Sequence, residues 1–156
     1  MRDSTQDNPG VVAPPPLIYA GSLTIGLLLH LLFPVKFFPR TVARPLGRVC
    51  TVLSGMLALS AFLEMRRAGT HVDPTQPATA LVTTGPFRLT RNPLYLSLTL
   101  LYAGIALLVN SLWALGLLPF ALIVIRYGVI NREEQYLERK FGDQYLSYKA
   151  KVRRWM

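Results

Sequence analysis

Four apolar runs, Leu17–Phe33, Pro45–Met65, Leu94–Val109 and Leu112–Ile130, take up almost half of the 156-residue chain and leave few folds open to it. The second run holds 21 residues. As a helix it spans roughly 31 Å, matching a hydrocarbon core of about 30 Å. Glu64 interrupts it near its end. The third run reaches only about 24 Å, short of a full crossing. Only Asn110 and Ser111 separate the third run from the fourth, which predicts a tight antiparallel helical hairpin. The runs show no sustained alternation and are rich in leucine, so helix is favoured over strand. The expected fold is all-α and integral to the membrane. About four transmembrane helices form one domain, with a helix pair in 1–69, a core in 70–156 and an interfacial amphipathic segment at the C-terminus.

Only 16% of the residues are charged, against roughly 25% in a soluble domain, which excludes that class and disorder with it. Cys50 is the single cysteine, so neither an internal disulfide nor a cysteine zinc cluster can form. Asp3, Asp7 and the Pro14-Pro15-Pro16 run precede the first apolar run where a signal peptide would carry basic residues, so a retained helix is expected. If all four runs cross, 1–16, 66–93 and 131–156 share a face with twelve Lys and Arg, from Arg2 to Arg154. The opposite loop, 34–48, carries four: Lys36, Arg40, Arg44 and Arg48. That excess places both termini in the cytoplasm. The lack of disulfides and signal features suggests a bacterial-type inner membrane.

In the C-terminal segment, Leu137, Phe141, Tyr145, Tyr148, Val152 and Trp155 recur at spacings of 4, 4, 3, 4 and 3, one apolar stripe of a helix with Lys and Arg opposite. Such a segment can lie along the headgroups or fold back over the hairpin. Gly142 is placed to break it.

Two clusters bracket the hairpin on one side: residues 81–95, LVTTGPFRLTRNPLY, and Asn131-Arg132-Glu133-Glu134. The short turn brings these two ends together. Asn92-Pro93 reads as an N-cap followed by proline in the first helical turn, and a capped helix start offers free N–H groups to an anion. Arg91 is an interfacial anchor or an anion ligand. Glu133 and Glu134 form either a solvated helix face or a carboxylate site at the mouth of a membrane cavity. His30 stands alone in an apolar run, and His71 has no second ligand at metal spacing, so no metal site is expected. Glycine-rich nucleotide motifs, the nucleophile elbow and H-E-x-x-H are absent from the chain. The cations flank apolar spans instead of decorating a soluble domain, which argues against nucleic acid as a partner.

The order L-V-T-x-G-P-F-x-x-x-R-N-P-x-Y (81–95), helical hairpin, R-E-E (132–134) and F-G-x-x-Y-x-x-Y (141–148) resembles the membrane-embedded methyltransferases that include isoprenylcysteine carboxyl methyltransferase. The phospholipid N-methyltransferases are more distant relatives. The resemblance covers about residues 70–152 and implies methyl transfer from S-adenosyl-L-methionine to a hydrophobic or lipid-like acceptor within the membrane. It also implies a cofactor pocket lined by Thr79, Ala80, Leu81, Val82, Phe87, Asn92, Pro93, Leu94, Tyr95, Glu133 and Glu134. Many isoprenylcysteine enzymes have His where this chain has Asn92, which keeps the polar character. Arg91, Arg126 and Arg132 are the candidate catalytic residues, Arg126 or Arg132 supplying the cation for an acidic acceptor. Position 129, a candidate for a relative's substrate-binding Arg, is Val. A phospholipid amine or a small thiol is the alternative acceptor, and a non-catalytic membrane scaffold or transport subunit is the alternative class. The reading requires Asn92 and Glu133 to meet around one nucleoside-sized hollow beneath the headgroups.

Overall fold

The computed structural model describes residues 7–155; Arg2 and Asp3, used in the charge reading, lie outside them. The described residues are helical without a strand: α1 Pro15–Leu32, α2 Arg40–Arg67, α3 Pro93–Val109, α4 Leu112–Ile125, α5 Asn131–Phe141 and α6 Asp143–Lys151. A 3-10 turn, Gly85–Arg88, precedes α3. A five-residue π-helical stretch, Arg126–Ile130, joins α4 to α5 without a break. Three helices, α1, α2 and the continuous rod Leu112–Phe141, are long and apolar enough to cross a bilayer, and α3 is a shorter apolar helix. The chain is an all-α membrane protein.

Two boundaries differ from the expectation. Arg40, Arg44 and Arg48 lie on the first turns of α2, not in a loop. The carbonyl of Pro39 accepts from the N–H groups of Val42 and Ala43 and starts the helix there. Pro45 inside it removes only the bond that its own N–H would have made one turn back. The fourth apolar run ends at Ile130, but its helix does not, because residues 131–141 are mostly good helix formers and continue the rod.

The expected hairpin is present. Asn110 ends α3 in the left-handed conformation at φ 59°, and Ser111 Oγ accepts from the Ala114 N–H at 3.2 Å to cap α4. The Asn110 carboxamide also clasps the α1–α2 link. Its Oδ1 accepts from the N–H groups of Phe37 and Phe38 at 3.2 and 3.1 Å, and its Nδ2 donates to the Phe38 carbonyl at 2.6 Å.

The arms of the hairpin touch each other less than they touch the other helices: α3 packs chiefly along α2, and α4 along α1. Small residues set that pairing. A Cβ on Gly104 would stand 2.5 Å from Thr51 Oγ1 and 3.1 Å from the Gly47 carbonyl oxygen. One on Gly26 would stand 2.6 Å from Ala114 Cα. With apolar lipid outside, such close approach is what holds membrane helices together. Gly104→Leu is therefore expected to force α2 and α3 apart and to cost about 1–3 kcal/mol or more. The measurement is the thermal unfolding midpoint in detergent; an unchanged midpoint would refute the close contact.

At the C-terminus, Gly142 takes φ 50° and separates α5 from α6. Of the two dispositions open to the apolar stripe, the protein adopts the fold-back. Leu137, Phe141, Tyr145, Tyr148 and Val152 pack with Ala61, Val82 and Phe87. Trp155 joins the cluster around Tyr19, Tyr95 and Tyr102.

Candidate functional site

At one end of the bundle the last turn of α2, the segment 70–82, the start of α3, α5 and α6 surround a cleft. Its apolar wall includes Ala80, Leu81, Val82 and Phe87, with Tyr145 and Tyr148 behind them. The Tyr148 hydroxyl donates to the Phe87 carbonyl at 2.7 Å and fixes the 3-10 turn. Burial pushes that phenol up to about 12, so it stays a donor.

The polar wall carries separated charges. Glu134, with its side chain 7% exposed, accepts from Arg154 Nε at 3.0 Å and Nη2 at 2.7 Å, and pairs with Arg91 Nη2 at 3.2 Å. Two guanidinium groups thus share one carboxylate. The Arg91 side chain is only 9% exposed, yet its Nε and Nη1 have no hydrogen-bond partner among the described residues. Glu133, one residue earlier, accepts from the Tyr95 hydroxyl at 2.7 Å through Oε2. Arg91, Asn92, Glu133 and Glu134 all line the cleft. Asn92 and Glu133 thus line the same cleft. The hollow between them is smaller than expected, with a free volume of about 90 Å³ against about 300–1,000 Å³ for ligand pockets.

Other candidates fall elsewhere. Thr79 is turned to the Gly69 carbonyl, at 2.7 Å, and does not line the cleft. Pro93 is buried in the first turn of α3. Leu94 and Tyr95 wall a second, apolar chamber of about 550 Å³ with Ala58, Ser97, Leu98 and Pro14–Pro16; Tyr95 reaches the cleft only through its bond to Glu133. That chamber shares Val72, Asp73 and Pro74 with the cleft. The N–H and hydroxyl of Thr75 donate to Asp73 and hold its carboxyl below the usual range. Arg126 stacks over Tyr127 beside a different groove, between α3 and α4, that shares no residue with the cleft. Arg132 donates to the Gly10 carbonyl at 2.7 Å and is exposed. Arg126, at the end of α4, and Arg132, on α5, thus both lie away from the cleft.

Asn92 occupies the N-cap position, but its side chain makes no capping bond. Instead Nδ2 donates to the Arg154 carbonyl at 2.9 Å, because the C-terminal tail runs alongside. Arg154 and Tyr136 are the participants that the sequence did not single out. The Tyr136 hydroxyl accepts from the Ala78 N–H at 3.1 Å and donates to Asp7 Oδ1 at 2.9 Å, tying the segments on either side of the cleft to α5. No local motif marks either residue; the acidic pair at 133–134 amid so many cations is the one signal that a buried Arg partner was needed. Among the described residues no group of His, Cys, Asp and Glu could hold a metal ion.

A family model described as phospholipid methyltransferase matches residues 42–144, from α2 to the start of α6. The chain is also similar to an uncharacterized protein of Haemophilus influenzae, 52% identical over 64 residues, which are 40% of this chain and all of the relative. No solved structure matches.

Proposed function

Since the chain belongs to the phospholipid methyltransferase family, a family of membrane methyltransferases that generally use S-adenosylmethionine, we propose that it transfers a methyl group from that cofactor to a hydrophobic or lipid-like acceptor within the membrane. The observation that carries this reading is the separation of charge in the cleft. Glu133 lies on one part of its wall, and the buried, incompletely paired Arg91 on another. A ligand with both an amino-acid zwitterion and a ribose diol satisfies such a wall, and an apolar ligand does not.

The residues fit the cofactor in kind. Glu133 would accept hydrogen bonds from its hydroxyl or ammonium groups, and Phe87 offers an aromatic face to a cation. Bound there, the cofactor supplies a methyl group on a positively charged sulfur. The chain's part is to hold donor and acceptor in line and to keep water out. The small free volume means that the cleft widens before a nucleoside enters, and the segment 70–82, which borders it outside any helix, is the wall we assign to that movement.

The acceptor would occupy the apolar chamber behind Val72, Asp73 and Pro74, reached sideways between helices. The resemblance to isoprenylcysteine carboxyl methyltransferase suggests a lipidated carboxylate there. Asp73 favours a second reading, a phospholipid amine, because an ionised carboxylate at the chamber attracts an ammonium group and repels another carboxylate. In either case the cleft would face the cytoplasm, as the distribution of Lys and Arg suggests.

The protein purified in detergent is expected to bind S-adenosylhomocysteine in calorimetry and to unfold at a higher temperature with it. No heat and no stabilisation at millimolar ligand would overturn the proposal. Incubation with labelled cofactor and separate pools of phospholipid, prenylated peptide and thiol then names the acceptor.

A further inference from the structure

We propose that Arg91 is the oxyanion ligand of the cleft, taking the carboxylate of the amino-acid end of the bound nucleoside, and that Glu134 and Arg154 are positioning residues that hold it there. The proposal deepens the methyltransferase reading and rests on it for the identity of the ligand, though not for the existence of the anion subsite.

Arg91 is held from three directions. Its backbone N–H donates to the Arg153 carbonyl at 3.0 Å. Its Nη2 meets Glu134 Oε1 at 3.2 Å. Thr90 and Asn92, its two chain neighbours, both donate to the Arg154 carbonyl at 2.9 Å. The guanidinium is therefore fixed, not snorkelling, and of the two alternatives open from the sequence the anion ligand is the one this geometry supports.

Charge decides what it holds. Arg91, Glu134 and Arg154 together carry one net positive charge, and Glu134 is already fully engaged by the two arginines. Glu133 does not compensate it: the carboxylate accepts from Tyr95 and forms no ion pair with Arg91 among the described residues. A guanidinium with its side chain nine-tenths buried and two nitrogens unpartnered is costly unless an acceptor reaches it. The Arg91 side chain lines the cleft, so an acceptor seated in the cleft is the nearest source of the missing partner once the wall widens to admit it. A single oxyanion satisfies both the charge and the donors. The chemistry is shared by two sources, the carboxylate of an amino-acid-bearing nucleoside and the phosphate of a lipid headgroup.

The test compares Arg91→Gln and Arg91→Lys with the unaltered protein, all in detergent. Binding is followed by calorimetry for S-adenosylhomocysteine and for S-adenosyl-3-thiopropylamine, which lacks only the carboxylate. Dihexanoyl phosphatidylglycerol below its micelle concentration serves as the lipid arm. Arg91→Gln should weaken S-adenosylhomocysteine about 10- to 100-fold, Arg91→Lys less, and the decarboxylated ligand less than twofold in either variant. Loss of phosphatidylglycerol binding with S-adenosylhomocysteine unchanged would keep the subsite and assign it to lipid phosphate. Equal losses for both nucleosides, or no loss for any ligand, would overturn it. If the unaltered protein binds neither nucleoside, the methyltransferase reading fails, and the phosphatidylglycerol arm alone decides the subsite. Unfolding midpoints of the variants check folding, which Glu134 supports by keeping Arg154.

Discussion

Glu134→Ala is expected to destabilise the protein by about 3 kcal/mol, seen as a lower unfolding midpoint in detergent with or without ligand. The carboxylate is 7% exposed and accepts from two arginines. Removing it leaves two like charges facing each other where one is almost fully buried. Breaking a buried pair in this way costs about 3–5 kcal/mol. The lower figure applies because the Arg154 side chain is 27% exposed and can rehydrate. Arg154→Ala should cost less, since Arg91 and Glu134 remain a neutral pair. A midpoint for Glu134→Ala within a degree of the unaltered protein would show that this network is not holding the C-terminal tail against the cleft.

The adjacent substitution should behave in the opposite way. Glu133→Gln is expected to weaken S-adenosylhomocysteine by about 1.5–3 kcal/mol, the worth of a hydrogen bond to a charged group, which is roughly 10- to 150-fold in affinity. The fold should survive. Among the described residues Glu133 accepts one hydrogen bond, from Tyr95, and a glutamine carbonyl can accept it in turn. Calorimetry and an unfolding curve on the same preparation separate the two effects. Unchanged affinity would return Glu133 to a purely structural role. A variant that loses stability as Glu134→Ala does would mean that the roles of the two carboxylates are exchanged.

That contrast marks how far the residue pattern reaches. Glu133 and Glu134 are indistinguishable in the sequence: same type, same helix, next to each other. Their difference comes from Arg154, twenty residues on, and from Arg91 on the other side of the hairpin. Neither distance is set by helical periodicity. Asn92 teaches the same lesson, since its place at the start of α3 follows from Pro93, while the bond its side chain makes depends on where the tail passes. Arg126 and Arg132 looked equally suited to an anionic acceptor. The π-helical stretch beginning at Arg126 gives α5, and Arg132 with it, a register that an unbroken 3.6-residue period does not anticipate, while Arg126 lies in the groove between α3 and α4.

The apolar runs, the two-residue turn at Asn110-Ser111 and the break at Gly142 were legible from residues alone, because each is settled by interactions within a few positions of the chain. Burial of leucine-rich stretches, backbone hydrogen bonding inside one helix and the left-handed freedom of Asn and Gly need no distant partner. Which helix lies against which, which of Glu133 and Glu134 pairs with arginine, and the unpartnered nitrogens of Arg91 among the described residues belong to the tertiary structure. They rest on glycine contacts between helices and on the shared carboxylate of Glu134, and such contacts exist only once segments far apart in the chain have been brought together.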